Sequence, residues 1–387
     1  MMKKTTKIEN TLGMFDLLKG IAMFLIVFAH NRSIFPELIF DKASAIEGDS
    51  FFKTMPYIAR LPVLVRLVMA VLAPIALAMV PAFLIIGGYG FRKRNVSKTI
   101  KLFSKEMIKP YVYTVIATVL LHCLLHFVFF RYWPGAIKES LKVFAGMVLG
   151  LTQTTTFGKI TFFANGPVWF LLAMFWSVVI FNMLLNWSTE NALPFYVFIA
   201  SVVGWLLSYV KYTPWCISQG LVGIIYVYIG YYLKKNKVFS KEYNIKEKFI
   251  YVIAVVLPNF VLCAFGLVTE MADNVYSLGP ISYIENGLFG ILVLYMFLRL
   301  NILHGRIAGG IRTVGKYSLY MMCVHSVEMI AIPWYKLSEL FYGKPMIGFF
   351  AIYIARMIII IGGVFLVVKI NDTIKSITQR KDVLNKK

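Results

Sequence analysis

The sequence predicts an all-α, polytopic membrane protein with about ten transmembrane helices and both termini in the cytoplasm. Three observations predict it. The 387 residues are 59% hydrophobic and only 15% charged, whereas about a quarter of an ordinary soluble protein is charged. The apolar residues fall into runs near the ~20 residues that cross a bilayer as a helix. The 40 Lys+Arg, set against 18 Asp+Glu, are clumped between those runs. A nucleic-acid binder spreads its cations over a soluble surface, so no nucleic-acid partner is expected. The 16% aromatic content excludes a disordered chain.

The elements follow in order. Lys3, Lys4 and Lys7 precede the first run, residues 12–30, as in a signal peptide. The run then passes into His30, Asn31 and Arg32 with no small-residue cleavage site, so it reads as an uncleaved first span. Runs 67–91 and 110–130 flank a strongly basic stretch, 92–109, read as a cytoplasmic loop. Run 141–151 is too short to span and reads as a re-entrant or interfacial piece. Runs 167–186, 194–210, 215–233, 249–268, 283–300, 314–333 and 346–368 complete the set of ten. Loops on the side of the termini carry 26 Lys+Arg and the opposite loops carry 12. The positive-inside rule therefore places both termini in the cytoplasm, and an eleventh span would break the alternation. Residues 1–387 are expected to form a single integral-membrane domain, with 372–387 as a basic cytoplasmic tail and no attached soluble domain. Cys123, Cys216, Cys263 and Cys323 have no paired spacing and read as small buried hydrophobes.

Ionisable groups inside spans are expensive, which makes each a candidate for function. They are Asp16, Lys19, His30, His122, His126, Glu285, His325, Glu328 and Arg356. Lys19 and His30 are eleven residues apart, about three helical turns, so they share a face about 16 Å apart along the axis. Asp16 reaches Lys19 at a spacing of three. This stripe reads either as an ion pair below a reactive imidazole or as interfacial anchors with Lys19 snorkelling to headgroups. His122 and His126 share a face, but no third ligand lies nearby in sequence, so interhelical hydrogen bonds are favoured and no metal is expected. His325 and Glu328 share a face and read as an acid–imidazole pair or a tertiary hydrogen bond. Arg356 is expected to pair with Glu328 or with Glu285.

The first of these stripes, Asp16-Leu17-Leu18-Lys19 followed by ten residues and His30, resembles the first-helix signature of the membrane-bound acyltransferase-3 family. Three further stretches fall in that family's order. Residues 81–89, with Gly87-Gly88-Tyr89, are similar to its Ser-Gly-Tyr helix end. Gly166-Pro167-Val168-Trp169-Phe170-Leu171 is similar to its Trp-Phe-Leu helix start. Ser318, Tyr320 and His325 lie in a segment similar to its late Ser/Tyr/His motif. Two departures stand out: the family's usual Arg is Lys19, a point charge in place of a planar fork, and the Ser of the second motif is Gly87, which has no hydroxyl.

The resemblance implies an O-acyltransferase that moves an acyl group, usually acetyl, from cytoplasmic acyl-CoA (acetyl-CoA) to a hydroxyl of an extracytoplasmic polysaccharide or lipid-linked sugar. It implies a multi-pass protein of the bacterial plasma membrane, surrounded by lipids and working beside glycan-synthesis proteins. His30 is expected to be the general base or a transient acyl carrier, with Lys19 and Asp16 completing the catalytic stripe. The anionic donor is expected at Lys19, Arg92, Lys105 and Lys109. Trp169, Tyr320, His325 and Glu328 are expected around the substrate, with Trp169, Tyr320 or a backbone amide stabilising the oxyanion. Phe35, Phe51, Phe52, Tyr57, Tyr132 and Trp133 are candidates for stacking on sugar rings or for a membrane-interface aromatic belt. The competing class is a non-enzymatic transporter or flippase of a glycan precursor, which an inverted repeat would favour; none is apparent.

Overall fold

The fold is taken from a computed structural model that describes residues 12–31, 63–210, 212–241, 244–300, 303–341 and 344–384. After a 3-10 turn, α1 (Asp16–Asn31) begins with its acidic residue in the first turn, where the helix dipole favours it. α2 (Val63–Tyr89) contains Pro74 and Pro81. α3 (Val96–Phe103) is capped by the Asn95 side chain, runs through a π-helical turn (Ser104–Ile108), and continues as α4 (Lys109–Phe130). α5 (Trp133–Leu149) begins with a proline in its first turn and ends at Gly150, φ +73°.

A short hairpin of β1 (Thr155–Phe157) and β2 (Ile160–Phe162), antiparallel with Thr156 opposite Thr161, leads to α6 (Trp169–Trp187). α7 (Leu193–Leu207), α8 (Ile217–Lys235) and α9 (Ile245–Ala264) follow, the last closed by an Asn244/Glu247 capping box. A second hairpin, β3 (Thr269–Glu270) with β4 (Val275–Tyr276), precedes α10 (Ile281–Leu300). The chain finishes with α11 (Arg306–Lys316), α12 (Ser318–Ala331), α13 (Trp334–Ser338) and the 40-residue α14 (Pro345–Leu384).

Nine of the ten predicted segments each fall mainly on one helix, and the other, 314–333, takes the end of α11 and all of α12, which part at Tyr317. Among the described residues, six helices are long and apolar enough to cross a membrane, and three shorter apolar helices lie at Pro74–Tyr89, Leu193–Leu207 and Ser318–Ala331. The main core gathers residues of α2, α6, α8 and α10. α8 lies directly on α2: a Cβ at Gly88 would stand 1.9 Å from the Val227 carbonyl oxygen, and one at Gly230 would stand 2.0 Å from that of Ile85. A methyl group on either helix would force the pair apart. At Gly87 the missing hydroxyl has a simple consequence: the Met174 methyl fills the space, 1.9 Å from where a Cβ would be.

One expectation changes, and the short run gains its context. The basic stretch 92–109 is a loop only over 92–95, because the chain is helical from Val96 onward. Thr99, Phe103, Met107 and Tyr111, spaced by four, turn toward the protein, while Lys101, Lys105 and Lys109, also spaced by four, are exposed. The lysines depress the local hydropathy and mask the helical period. The short run 141–151 belongs to the 17-residue α5, which doubles back along α4. The Tyr111 hydroxyl donates to the Met147 carbonyl, and His122 Nδ1 lies 2.8 Å from Ser140 Oγ. Lys138, Glu139 and Lys142 shorten the apolar run, whereas the helix itself extends on both sides of them.

Candidate active site

α1, α12 and α14 carry the site. α11 is seated on α1 by two glycines: a Cβ at Gly315 would lie 1.8 Å from the Asp16 carbonyl oxygen, and one at Gly20 would lie 2.1 Å from that of Ile311. Only Tyr317 separates α11 from α12, so this contact sets where α12 starts relative to α1. Toward its other end α1 is tied to α14. The Asn31 side-chain amide donates to the Phe349 carbonyl at 2.8 Å, and Phe28 packs edge-on against Phe349 and Tyr353.

The outcome is that His30 and His325, 295 positions apart in sequence, come to face each other. Their ring centroids are 5.4 Å apart, with the planes tilted by 53°. His30 is half-buried, whereas His325 is fully enclosed. Of the two, His30 is the one that can be reached.

Behind His325 is a saturated carboxylate. Glu328 Oε1 stands 2.7 Å from His325 Nδ1 and accepts from Arg356 Nη2 at 2.8 Å and Nε at 3.1 Å. Its Oε2 accepts from Trp334 Nε1 at 2.6 Å and Arg356 Nε at 3.2 Å. A carboxylate facing these donors accepts the Nδ1 proton as well, which leaves His325 Nε2 as the acceptor nitrogen. Arg356 and Glu328 are at most 1% exposed. Such buried charges persist only when paired and hydrogen-bonded. His325 Nε2, Ser326 Oγ and Arg356 Nη1 are buried without a hydrogen-bond partner among the described residues, so the cluster keeps unused capacity of the kind a substrate or water satisfies.

The remaining predicted residues divide. Asp16 and Lys19 do form an ion pair, 2.6 Å apart and about one-fifth exposed, close to the α1–α11 contact. Arg92, Lys105 and Lys109 are exposed, and Lys109 lies 5.5 Å from the Tyr113 ring centroid. Trp169 packs edge-on to Phe170 in the main core. Tyr320 lies beside Tyr317 in a separate cluster with Met23, Val27 and Met357. Phe35, Phe51, Phe52 and Tyr57 lie outside the described residues, while Tyr132 and Trp133 are exposed at the turn between α4 and α5. His122 makes the interhelical bond to Ser140 and stands 5.7 Å from His126. Among the described residues no three His, Cys, Asp or Glu side chains converge as a metal site requires.

Trp334 is the residue that sequence reasoning missed. Pro333 interrupts the chain after α12, and the backbone turns so that Trp334 N donates to the Ile332 carbonyl and its indole reaches back to Glu328. The Pro-Trp pair just beyond a helix carrying His and Glu was the available signal.

A family model described as an acyltransferase domain matches residues 13–368. No curated protein and no solved structure matches the chain. The matched segment includes both facing imidazoles and the carboxylate–arginine pair behind them, and on that match the chain belongs to the membrane-bound acyltransferase-3 family and is an acyltransferase.

Proposed function

We propose that the protein transfers an acyl group, acetyl in the simplest case, from cytoplasmic acyl-CoA to a hydroxyl of an extracytoplasmic polysaccharide or lipid-linked sugar, working in a bacterial plasma membrane with ten spans and both termini inside. One observation carries the reading of the chemistry: an accessible imidazole, His30, set against a second imidazole whose Nδ1 faces a buried carboxylate. The polarity of α1 supports the direction of transfer. Its ion pair lies near the end carrying the basic N-terminal residues, and His30 lies about 16 Å further along, a distance the flexible arm of the donor can bridge. Lys19 then attracts the donor's phosphates while His30 meets its thioester.

As general base, His30 removes the proton of the acceptor hydroxyl. The oxygen attacks the thioester carbonyl, the C–S bond breaks, and the coenzyme thiolate leaves with the proton returned by the imidazolium. As acyl carrier, His30 attacks the thioester itself, the C–S bond breaks and the coenzyme thiolate leaves; the hydroxyl then attacks the acyl-imidazole, the C–N bond breaks and the hydroxyl proton passes to the freed imidazole. In both routes His325 is a positioning residue, because it is enclosed behind His30. The exposed cations Arg92, Lys105 and Lys109 raise the local concentration of an anionic donor from the cytoplasmic side.

The test is mass spectrometry of surface glycan from wild type, a deletion strain and His30→Ala at equal protein level. Loss of an O-acyl group in both mutants, with normal glycan amount, is the expected result. Loss of the glycan itself, with His30→Ala behaving as wild type, overturns the reading in favour of transport.

A further inference from the structure

Three carboxylates occur inside the predicted spans. Asp16 is paired with Lys19 and Glu328 with Arg356. The third, Glu285, sits in the first turns of α10, within a helix apolar enough to cross the membrane. The arginine that the sequence offered to either glutamate goes to Glu328, which leaves Glu285 in a narrow niche between α2, α9, α10 and the β3–β4 hairpin. Among the described residues no Lys, Arg or His lines this niche.

Its lining is apolar on the side of Pro74, Leu77, Leu262, Leu267 and Val268, and the side-chain oxygens that reach it belong to Asn259, Thr269, Glu285 and Asn286. Asn286 uses its amide N–H groups on Glu285 Oε2 at 2.7 Å and on the Ser282 carbonyl at 2.9 Å. Asn259 uses its own on the Val255 carbonyl at 2.8 Å. These partners only accept, so both amide orientations are dictated and both carboxamide oxygens remain free. Glu285 Oε1 and the Thr269 hydroxyl have no hydrogen-bond partner among the described residues, and Thr269 and Asn259 line the niche together with Glu285. The occupant must therefore bring positive charge or donors.

The space suits a single ion or water and is too small for a sugar ring. We propose that this niche is a binding site for a monovalent metal cation, with sodium as the fitting ion. One carboxylate with neutral oxygens balances a single charge. Calcium needs six to eight oxygens and magnesium a near-octahedral shell, more than these side chains provide. The bound ion joins α9, α10 and the hairpin while neutralising a carboxylate that lies within a predicted span. The inference is independent of the acyl-transfer reading.

The full-length protein in detergent is melted in NaCl and in choline chloride at equal ionic strength. Wild type is expected to gain thermal stability saturably with sodium, by about 2 °C once sodium exceeds its Kd about tenfold, while Glu285→Gln melts alike in both salts. In parallel, wild type is expected to bind 22Na+ that unlabelled NaCl displaces and choline chloride does not. Should Glu285→Gln not fold, Asn259→Ala is expected to lower the 22Na+ affinity about tenfold. Identical melting of wild type in both salts with no displaceable 22Na+ overturns the proposal, as does undiminished 22Na+ binding by the variants.

Discussion

Replacing Arg356 with methionine tests the reasoning about the buried cluster most directly. The change keeps a long flexible side chain and removes three of the five hydrogen bonds that reach the Glu328 carboxylate oxygens. What remains is an anion at most 2% exposed, supported only by the imidazole and the Trp334 indole. Stranding one member of a buried ion pair costs about 3–5 kcal/mol, which corresponds to a fall in melting temperature on the order of 10 °C. The assay is thermal unfolding of the detergent-solubilised protein, scored beside acyl transfer in membranes. A double variant, Arg356→Met with Glu328→Gln, removes the stranded charge and is expected to recover most of the lost stability. Activity is not expected to return, because the carboxylate that accepts from His325 Nδ1 is gone. The single variant melting like wild type, or the double variant being no more stable than the single, would refute the argument.

Other expectations can be checked alongside. His325→Asn retains a donor for Glu328 and removes the nitrogen corresponding to Nε2; transfer should fall at least about tenfold with the donor KM unchanged, at a stability cost of about 1–2 kcal/mol, measured by steady-state kinetics and melting. Lys19→Arg should retain most activity and Lys19→Ala little, with the loss concentrated in the KM for acyl-CoA and shrinking as added salt screens the attraction in the wild type. Gly315→Ala places a methyl 1.8 Å from a backbone oxygen of α1. It should destabilise the protein by about 1–3 kcal/mol and lower transfer, since α12 loses its register against His30.

The first-helix stripe was legible because a helix has a fixed period: Asp16, Lys19 and His30 had to share a face, and the ion pair is where that period puts it. For the same reason the pairing of His325 with Glu328, three residues apart on α12, could be read from spacing. The basic stretch 92–109 misled because hydropathy averages a helix with one buried and one cationic stripe into something resembling a loop. Its four-residue spacing carried the correct answer.

By itself, then, the sequence determined the local order of this protein: apolar lengths, the faces of single helices, the sorting of charge between loops, and the family signature. Partnership across the chain was decided only by tertiary structure. Arg356 could have paired with Glu285 or Glu328, and nothing in a linear pattern ranks the two. The choice depends on α14 packing beside α12, with Trp334 folded back past Pro333 onto the same carboxylate. Likewise, His30 meets His325 because Gly20 and Gly315 let α1 and α11 touch backbone to backbone. Helical period acts over a few residues and can be read directly. The contacts that assemble this site, such as the Asn31–Phe349 hydrogen bond across 318 positions, arise only once the helices have packed.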